Sequence, residues 1–165
     1  MLHEGFAGRG AMRATTVAGM GQDWFEEGSV GGAVARHLER RGWRVGATGA
    51  AADLVAEQGE RVLMLEVKGY PSSIYTQGPK AGLPKPTRSA TQVRQWYADA
   101  VLTVLLLGHA RPDVEIALAF PEQRTYRSLI AQTERSLRRL GVGVFLVGPS
   151  GDVETLIEPA LPASR

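Results

Sequence analysis

The stretch ADLVAEQGERVLMLEVKG, running from Ala52 to Gly69, decides how this chain folds. It contains two runs rich in Val and Leu, Ala52–Glu57 and Arg61–Gly69, separated by a turn signal at Gln58-Gly59. Two such runs around a short turn predict a β-hairpin. In the second run Leu63, Leu65 and Val67 take one face while Met64, Glu66 and Lys68 take the other, because strand side chains alternate. An acid and an ammonium therefore stand side by side. Asp53 follows by parity. A two-residue turn at Gln58-Gly59 sets Asp53 opposite Met64 and diagonal to Glu66, roughly 7–8 Å away. A four-residue loop sets it directly opposite Glu66. Either register gathers two carboxylates and one ammonium on one face.

Upstream of the hairpin a helix is expected from about Asp23, a good N-cap, to Arg41. Val30, Val34 and Leu38 mark its apolar face, the Gly31-Gly32 pair interrupts it, and Gly42 stops it. Trp43–Thr48 reads as a first strand. Downstream, Tyr70–Arg88 is rich in Pro, Gly, Ser and Thr without periodicity, and connections of that length are usually functional or disordered. A second helix follows, with Val93, Trp96, Ala100, Val101, Val104 and Leu107 as its buried stripe. Val114–Phe120 predicts a strand. Tyr126, Leu129, Ile130, Thr133, Leu137 and Leu140 then pattern a third helix, with Arg135, Arg138 and Arg139 on its outside, and Val142–Val147 closes the series as a strand. The order α-β-β-β-α-β-α-β predicts an α/β domain with a mixed β-sheet flanked by helices. Residues 1–21 are expected to be a mobile N-terminal arm, 22–150 the domain and 151–165 a C-terminal tail.

A chain of 165 residues suits one domain with a real core. No apolar run approaches the roughly 20 residues that a membrane span needs, and the N-terminus lacks the sustained apolar core of a secretory signal. The absence of cysteine excludes disulfides and thiolate metal sites. A soluble, cytoplasmic protein is expected. The net charge of +2 permits a polyanionic partner without demanding one. The kind of cation says more. Sixteen of the 19 are arginines, and the three lysines, Lys68, Lys80 and Lys85, fall in one 18-residue window. A compact ammonium does not interchange with a planar guanidinium, so this window points to a site.

Asp53 and Glu66 offer hard oxygen ligands of the kind that suit Mg²⁺ (or Mn²⁺), which usually takes one or two carboxylates and keeps several waters. Such an ion polarises a phosphoryl oxygen and acidifies a bound water. A neighbouring lysine orients or helps deprotonate that water and stabilises the charge of the transition state. This is the chemistry of phosphodiester hydrolysis. The plainer alternative is an edge hairpin with an exposed ion pair, worth about 0–1 kcal/mol. His3, His37 and His109 have no ligand spacing, and no glycine pair makes a phosphate-binding fingerprint. In the long loop Lys80, Lys85 and Arg88 are candidates to grip phosphates, with Tyr70 or Tyr75 stacking on bases. The bland alternative there is a solvated connector.

A helix, an Asp on strand two, E-x-K on strand three and a later helix carrying Gln resemble the PD-(D/E)xK restriction-endonuclease-like superfamily, which includes Holliday-junction resolvases. The resemblance spans about Trp24 to Val147 and rests on WFEEGSVGGAVARHLERRGWRV, AADLVAE, LEVKGYPSS and TQVRQW; it looks like a bacterial branch of that superfamily. The resemblance implies a metal-dependent nuclease with DNA as the expected substrate. Asp53 and Glu66, with the Val67 carbonyl, would hold the metal, and Lys68 would act on the attacking water. The first helix would supply a further acid, best matched by Glu27 with Glu26 as a rival. The amide of Gln92 would position phosphate or water. Ala52 rather than Pro precedes Asp53, a departure that weakens the motif. With no separate recognition domain, specificity is expected from a homodimer or a partner. Two other readings stay open: a catalytically idle module that binds nucleic acid or a protein through the same face, and a structural domain whose hairpin charges are incidental.

Overall fold

The computed structural model describes residues 25–46, 52–71, 78–83 and 89–161. Its elements are α1 (Glu27–Arg40), β1 (Arg44–Gly46), β2 (Leu54–Gln58), β3 (Arg61–Val67), α2 (Ser89–Ala110), β4 (Glu115–Pro121), α3 (Arg124–Arg139), β5 (Val142–Val147) and β6 (Val153–Ile157). The six strands form one sheet in the order β1-β2-β3-β4-β5-β6. β1, β2 and β3 pair antiparallel, β3, β4 and β5 pair parallel, and β6 returns antiparallel beside β5. This is the expected mixed sheet flanked by helices, with one strand added. Among the described residues no helix is long and apolar enough to cross a membrane.

The alternation read in β3 is what divides the core. Leu63, Leu65 and Val67 join Ala117, Ala119 and Phe145 under Val30, Val34 and Leu38 of α1. Met64 faces the other way, with Ile116, Leu118 and Phe120, under Val93, Tyr97 and Val104 of α2 and Tyr126 and Ile130 of α3. α2 and α3 share a face because parallel strand–helix–strand connections have one preferred hand. β4, covered on both sides, is buried along its whole length. At its start the buried Glu115 carboxylate accepts from Arg61 Nε at 2.7 Å and Nη2 at 2.9 Å, and Arg61 lies 4.8 Å over the Trp43 ring. That two-pronged pair ties the first residue of β3 to the first of β4.

Several boundaries differ from expectation. Gln58 pairs with Arg61, so the tight turn is Gly59-Glu60, one residue later than Gln58-Gly59. Gly59 sits at φ +61°, a conformation open to glycine because it has no Cβ. Val55, not Asp53, therefore opposes Met64, which is the register of the four-residue-loop alternative. α1 begins at Glu27, with Glu26 as an N-cap that makes no side-chain cap bond; Asp23 lies outside the described residues. The helix continues through Gly31-Gly32 because packing on the sheet, rather than propensity, supplies most helix stability. In α2 the buried stripe runs through Val93, Tyr97, Ala100 and Val104, while Trp96 is half-buried. Leu140 falls just past the end of α3 and is exposed. The stretch 151–165, expected to be a tail, contributes β6, whose Val153–Ile157 pairs with Val144–Val147. The expected arm at 1–21 lies outside the described residues.

Candidate active site at the carboxyl end of β3

β3 is longer than its antiparallel neighbour, and the candidate site grows from that mismatch. The β2–β3 ladder starts at Leu54, opposite Leu65. Beyond that point Asp53 takes over the edge: its amide donates to the Leu65 carbonyl at 3.0 Å, and its Oδ2 accepts from the Val67 amide at 2.7 Å. A strand residue turns its N–H and C=O to the same edge, so the Val67 carbonyl faces the side that Asp53 occupies. On the opposite edge Lys68 N–H donates to the Ala119 carbonyl at 3.0 Å, carrying the β4 pairing one residue past β3.

The next two residues are held by α1 and α3. Tyr70 N–H donates to the Phe25 carbonyl at 2.9 Å. A Cβ on Gly69 would lie 2.7 Å from Glu27 N and 2.9 Å from Phe25 O, both backbone atoms, so only glycine fits there. Tyr126, fully buried, donates its hydroxyl to the Gly69 carbonyl at 2.8 Å. Its ring stacks on Phe120 at 4.5 Å and meets Tyr70 edge-on at 6.0 Å. Burial, with the nearby Tyr70 and Glu27, pushes the Tyr126 phenol well above the ordinary tyrosine range, so it stays a donor.

Glu66 is 8% exposed, and Lys68 Nζ stands 2.6 Å from its Oε1. Burial pushes the Glu66 carboxyl up. The Lys68 hydrogen bond opposes that, while the Asp53 carboxyl, close enough to share a hydrogen bond with Glu66, adds to it. Burial works to lower Lys68, yet the Glu66 hydrogen bond and the charges of Glu66, Glu27 and Asp53 hold its ammonium above the ordinary lysine value. This arrangement favours the charged, donating form of Lys68. Gln92 lies in the first turn of α2. The neighbouring Val93 packs in the same cluster as Ala52, Met64 and Tyr70. Gln92 Oε1 is buried without a hydrogen-bond partner among the described residues. Leaving such an acceptor unmet costs about 1–3 kcal/mol, and a water or ion is a common reason for the exception.

Asp53, Glu66 and Lys68 are thus brought together, with the Val67 carbonyl beside them. The charge of Glu27 helps to raise the pKa values of Lys68 and Tyr126. Among the described residues no three His, Cys, Asp or Glu side chains form a group able to hold a metal. Glu26 is an exposed N-cap. The donor set of two carboxylates and a carbonyl fits a hard divalent ion such as Mg²⁺ and does not fit the nitrogen and sulfur preference of zinc. Tyr70 is half-buried, with its ring edge-on to Tyr126. Lys80 is exposed in the segment 78–83; Tyr75, Lys85 and Arg88 lie outside the described residues. Gly69 and Tyr126 escaped the sequence reading. The glycine directly after E-x-K was a usable signal, whereas Tyr126 looked like any other core position on α3. Comparison with protein-family models, with curated proteins and with solved structures found no match for this chain.

Proposed function

We propose that the protein is a divalent-metal-dependent nuclease of the PD-(D/E)xK restriction-endonuclease-like type, with DNA as the expected substrate. The observation that carries this reading is the pairing of Asp53 and Glu66 within hydrogen-bond reach of one another, beside the charged Lys68. Two carboxylates gathered this closely disfavour each other's ionised form, so the arrangement suits a cation. Asp53, Glu66 and the Val67 carbonyl would hold Mg²⁺ or Mn²⁺. Such an ion supplies Lewis-acid polarisation of the phosphoryl oxygen and a more acidic water.

The remaining roles belong to the chain itself. Lys68 donates to the phosphoryl oxygen on which negative charge develops, and its 2.6 Å bond to Glu66 fixes that carboxylate. Gln92 offers its unmet Oε1 to an O–H of the attacking water. Glu27 contributes charge that keeps Lys68 protonated. Tyr126 and the backbone at Phe25 hold the Lys68–Tyr70 segment in place. Lys80, Lys85, Arg88 and Tyr75 are the loop residues proposed to hold the substrate strand.

One observation favours the catalytically idle module instead. Asp53 Oδ2 already satisfies the Val67 amide, a purely structural use of that carboxylate. Incubation with labelled single-stranded, duplex and branched DNA and with RNA, in Mg²⁺ or Mn²⁺, separates the two. The wild type is expected to cleave at least one of these, and Lys68→Ala to lose about 10²–10⁴-fold in rate. Lys68→Arg should lose most of the rate as well, because a planar fork does not replace a compact ammonium. Binding without cleavage would favour the idle module. Cleavage undiminished in Lys68→Ala would place the chemistry elsewhere.

A further inference from the structure

We infer that the outer face of α3, with the groove it forms against α2, is a track for the phosphate backbone of nucleic acid leading away from the candidate active site. The starting observation is a division among the arginines. Arg41, Arg44, Arg61, Arg111, Arg127 and Arg138 each hold a carboxylate. Arg36 and Arg40 on α1, Arg94 on α2 and Arg124, Arg135 and Arg139 on α3 are exposed and hold none among the described residues. α3 carries five arginines against one glutamate, and that glutamate, Glu134, is taken by Arg138 at 2.8 Å.

Helical geometry puts the unpaired members of α3 in line. At about 100° per residue, Arg124, Ser128, Gln132, Arg135 and Arg139 fall within an arc of about 80° on one side of the helix. At ~1.5 Å per residue the stripe is roughly 22 Å long, enough for several phosphates of one strand at ~3.4 Å rise. It contains no acid. Beside its amino-terminal half lies an open groove of about 450 Å³ lined by Ala90, Thr91, Arg94, Arg124, Ser128 and Gln132. Guanidinium groups interspersed with hydroxyls and an amide are the donors that contact phosphate oxygens without reading bases. The planar fork of arginine matches phosphate geometry.

The amino-terminal end of the track is close in sequence to residues assigned to the site. Thr91 precedes Gln92 on α2, and Arg124 lies two residues before Tyr126, the side chain that holds Gly69. The choice of nucleic acid as the polyanion rests on the nuclease reading; the cationic stripe does not.

The test is a salt titration of binding to a labelled single-stranded oligonucleotide in EDTA, between about 50 and 200 mM salt. Relative to wild type, the triple variant Arg124→Gln, Arg135→Gln, Arg139→Gln should lower the slope of log affinity against log salt by about 2–3, at 0.7–0.9 per lost contact. Arg94→Gln alone should lower it by about 0.7–0.9. The corresponding triple Arg→Lys variant should keep the slope, and so should Arg44→Gln, whose guanidinium already holds Glu57. Unfolding midpoints should match throughout, since these positions are exposed and Arg, Lys and Gln have similar helix propensity. An unchanged slope in the Gln triple variant overturns the track. Preferential binding of poly-glutamate or of phosphatidylserine vesicles, lost in the same variant, overturns nucleic acid as its occupant. Salt-sensitive binding in EDTA by a wild type that does not cleave in Mg²⁺ would leave the track standing and remove the nuclease reading. Cleavage with an unchanged slope would do the reverse.

Discussion

Asp53 does two things at once, and they separate by mutation. Its Oδ2 accepts the Val67 amide, and its charge sits against the buried Glu66. In the absence of divalent ions, Asp53→Asn keeps an acceptor for that amide and removes one of two like charges, so stability should hold or rise. Asp53→Ala orphans the amide and should cost about 1–3 kcal/mol in urea unfolding. Mg²⁺ or Mn²⁺ should raise the melting temperature of wild type by mass action and that of Asp53→Asn much less. Equal responses would remove Asp53 as a ligand. A different residue-scale prediction concerns the strap after the motif. Gly69→Ala forces a methyl group onto the α1 backbone and should cost about 1–3 kcal/mol. Tyr126→Phe leaves the Gly69 carbonyl without its donor, a loss of about 1–3 kcal/mol. A Gly69→Ala protein as stable as wild type would show that α1 is not held against that residue. The alternation of Glu66 and Lys68 was readable because a strand has a period of two. The unmet acceptor of Gln92 was not, because burial depends on what packs around α2.

At the scale of elements, the misreadings share a cause: short segments whose signal lies in their neighbours. β6 is five residues, Val-Glu-Thr-Leu-Ile, with a half-buried face and a bulge between Val144 and Phe145 in its pairing with β5. It becomes a strand because β5 presents a free edge. The choice between the two hairpin registers follows the same logic. Gly59 is the residue of that turn able to take φ +61° without strain, and centring the turn on Gly59-Glu60 sets the pairing. α1 and β6 meet at His37, whose ring is 3.5 Å from Thr155 Oγ1 and edge-on to Phe145 at 6.0 Å. Burial, then the charges of Arg41 and Arg40, lower the His37 pKa below 6.5, against a smaller pull upward from Glu158. The folded state thus binds this proton less readily than the unfolded chain. The contribution to stability is whole above pH 6.5 and is lost as pH falls through the depressed folded value. Urea midpoints measured across that window should fall with pH in wild type and fall less in His37→Gln. Parallel curves for the two proteins would clear His37 of any part in the pH dependence.

At the scale of the whole molecule, the two ends of the sheet are built differently. The amino ends of β3 and β4 are closed by the Arg61–Glu115 pair under Trp43. The carboxyl end of β3 is left with Asp53, Glu66 and Lys68, the end at which open sheets with parallel strands usually take ligands. The sequence by itself determined the mixed α/β architecture, the five strands up to Val147 and the grouping of Asp53, Glu66 and Lys68. Each depends on periodicity, parity or turn chemistry, which act within a few residues of chain. Only the tertiary structure decided that the charge of Glu27 acts on Lys68, that Gly69 must be glycine, that Tyr70 meets Tyr126 edge-on, and which arginines lack a carboxylate. Those outcomes depend on which distant segments share space. Proximity between residues tens of positions apart is set by packing of whole helices on a sheet and leaves no local trace in the order of amino acids.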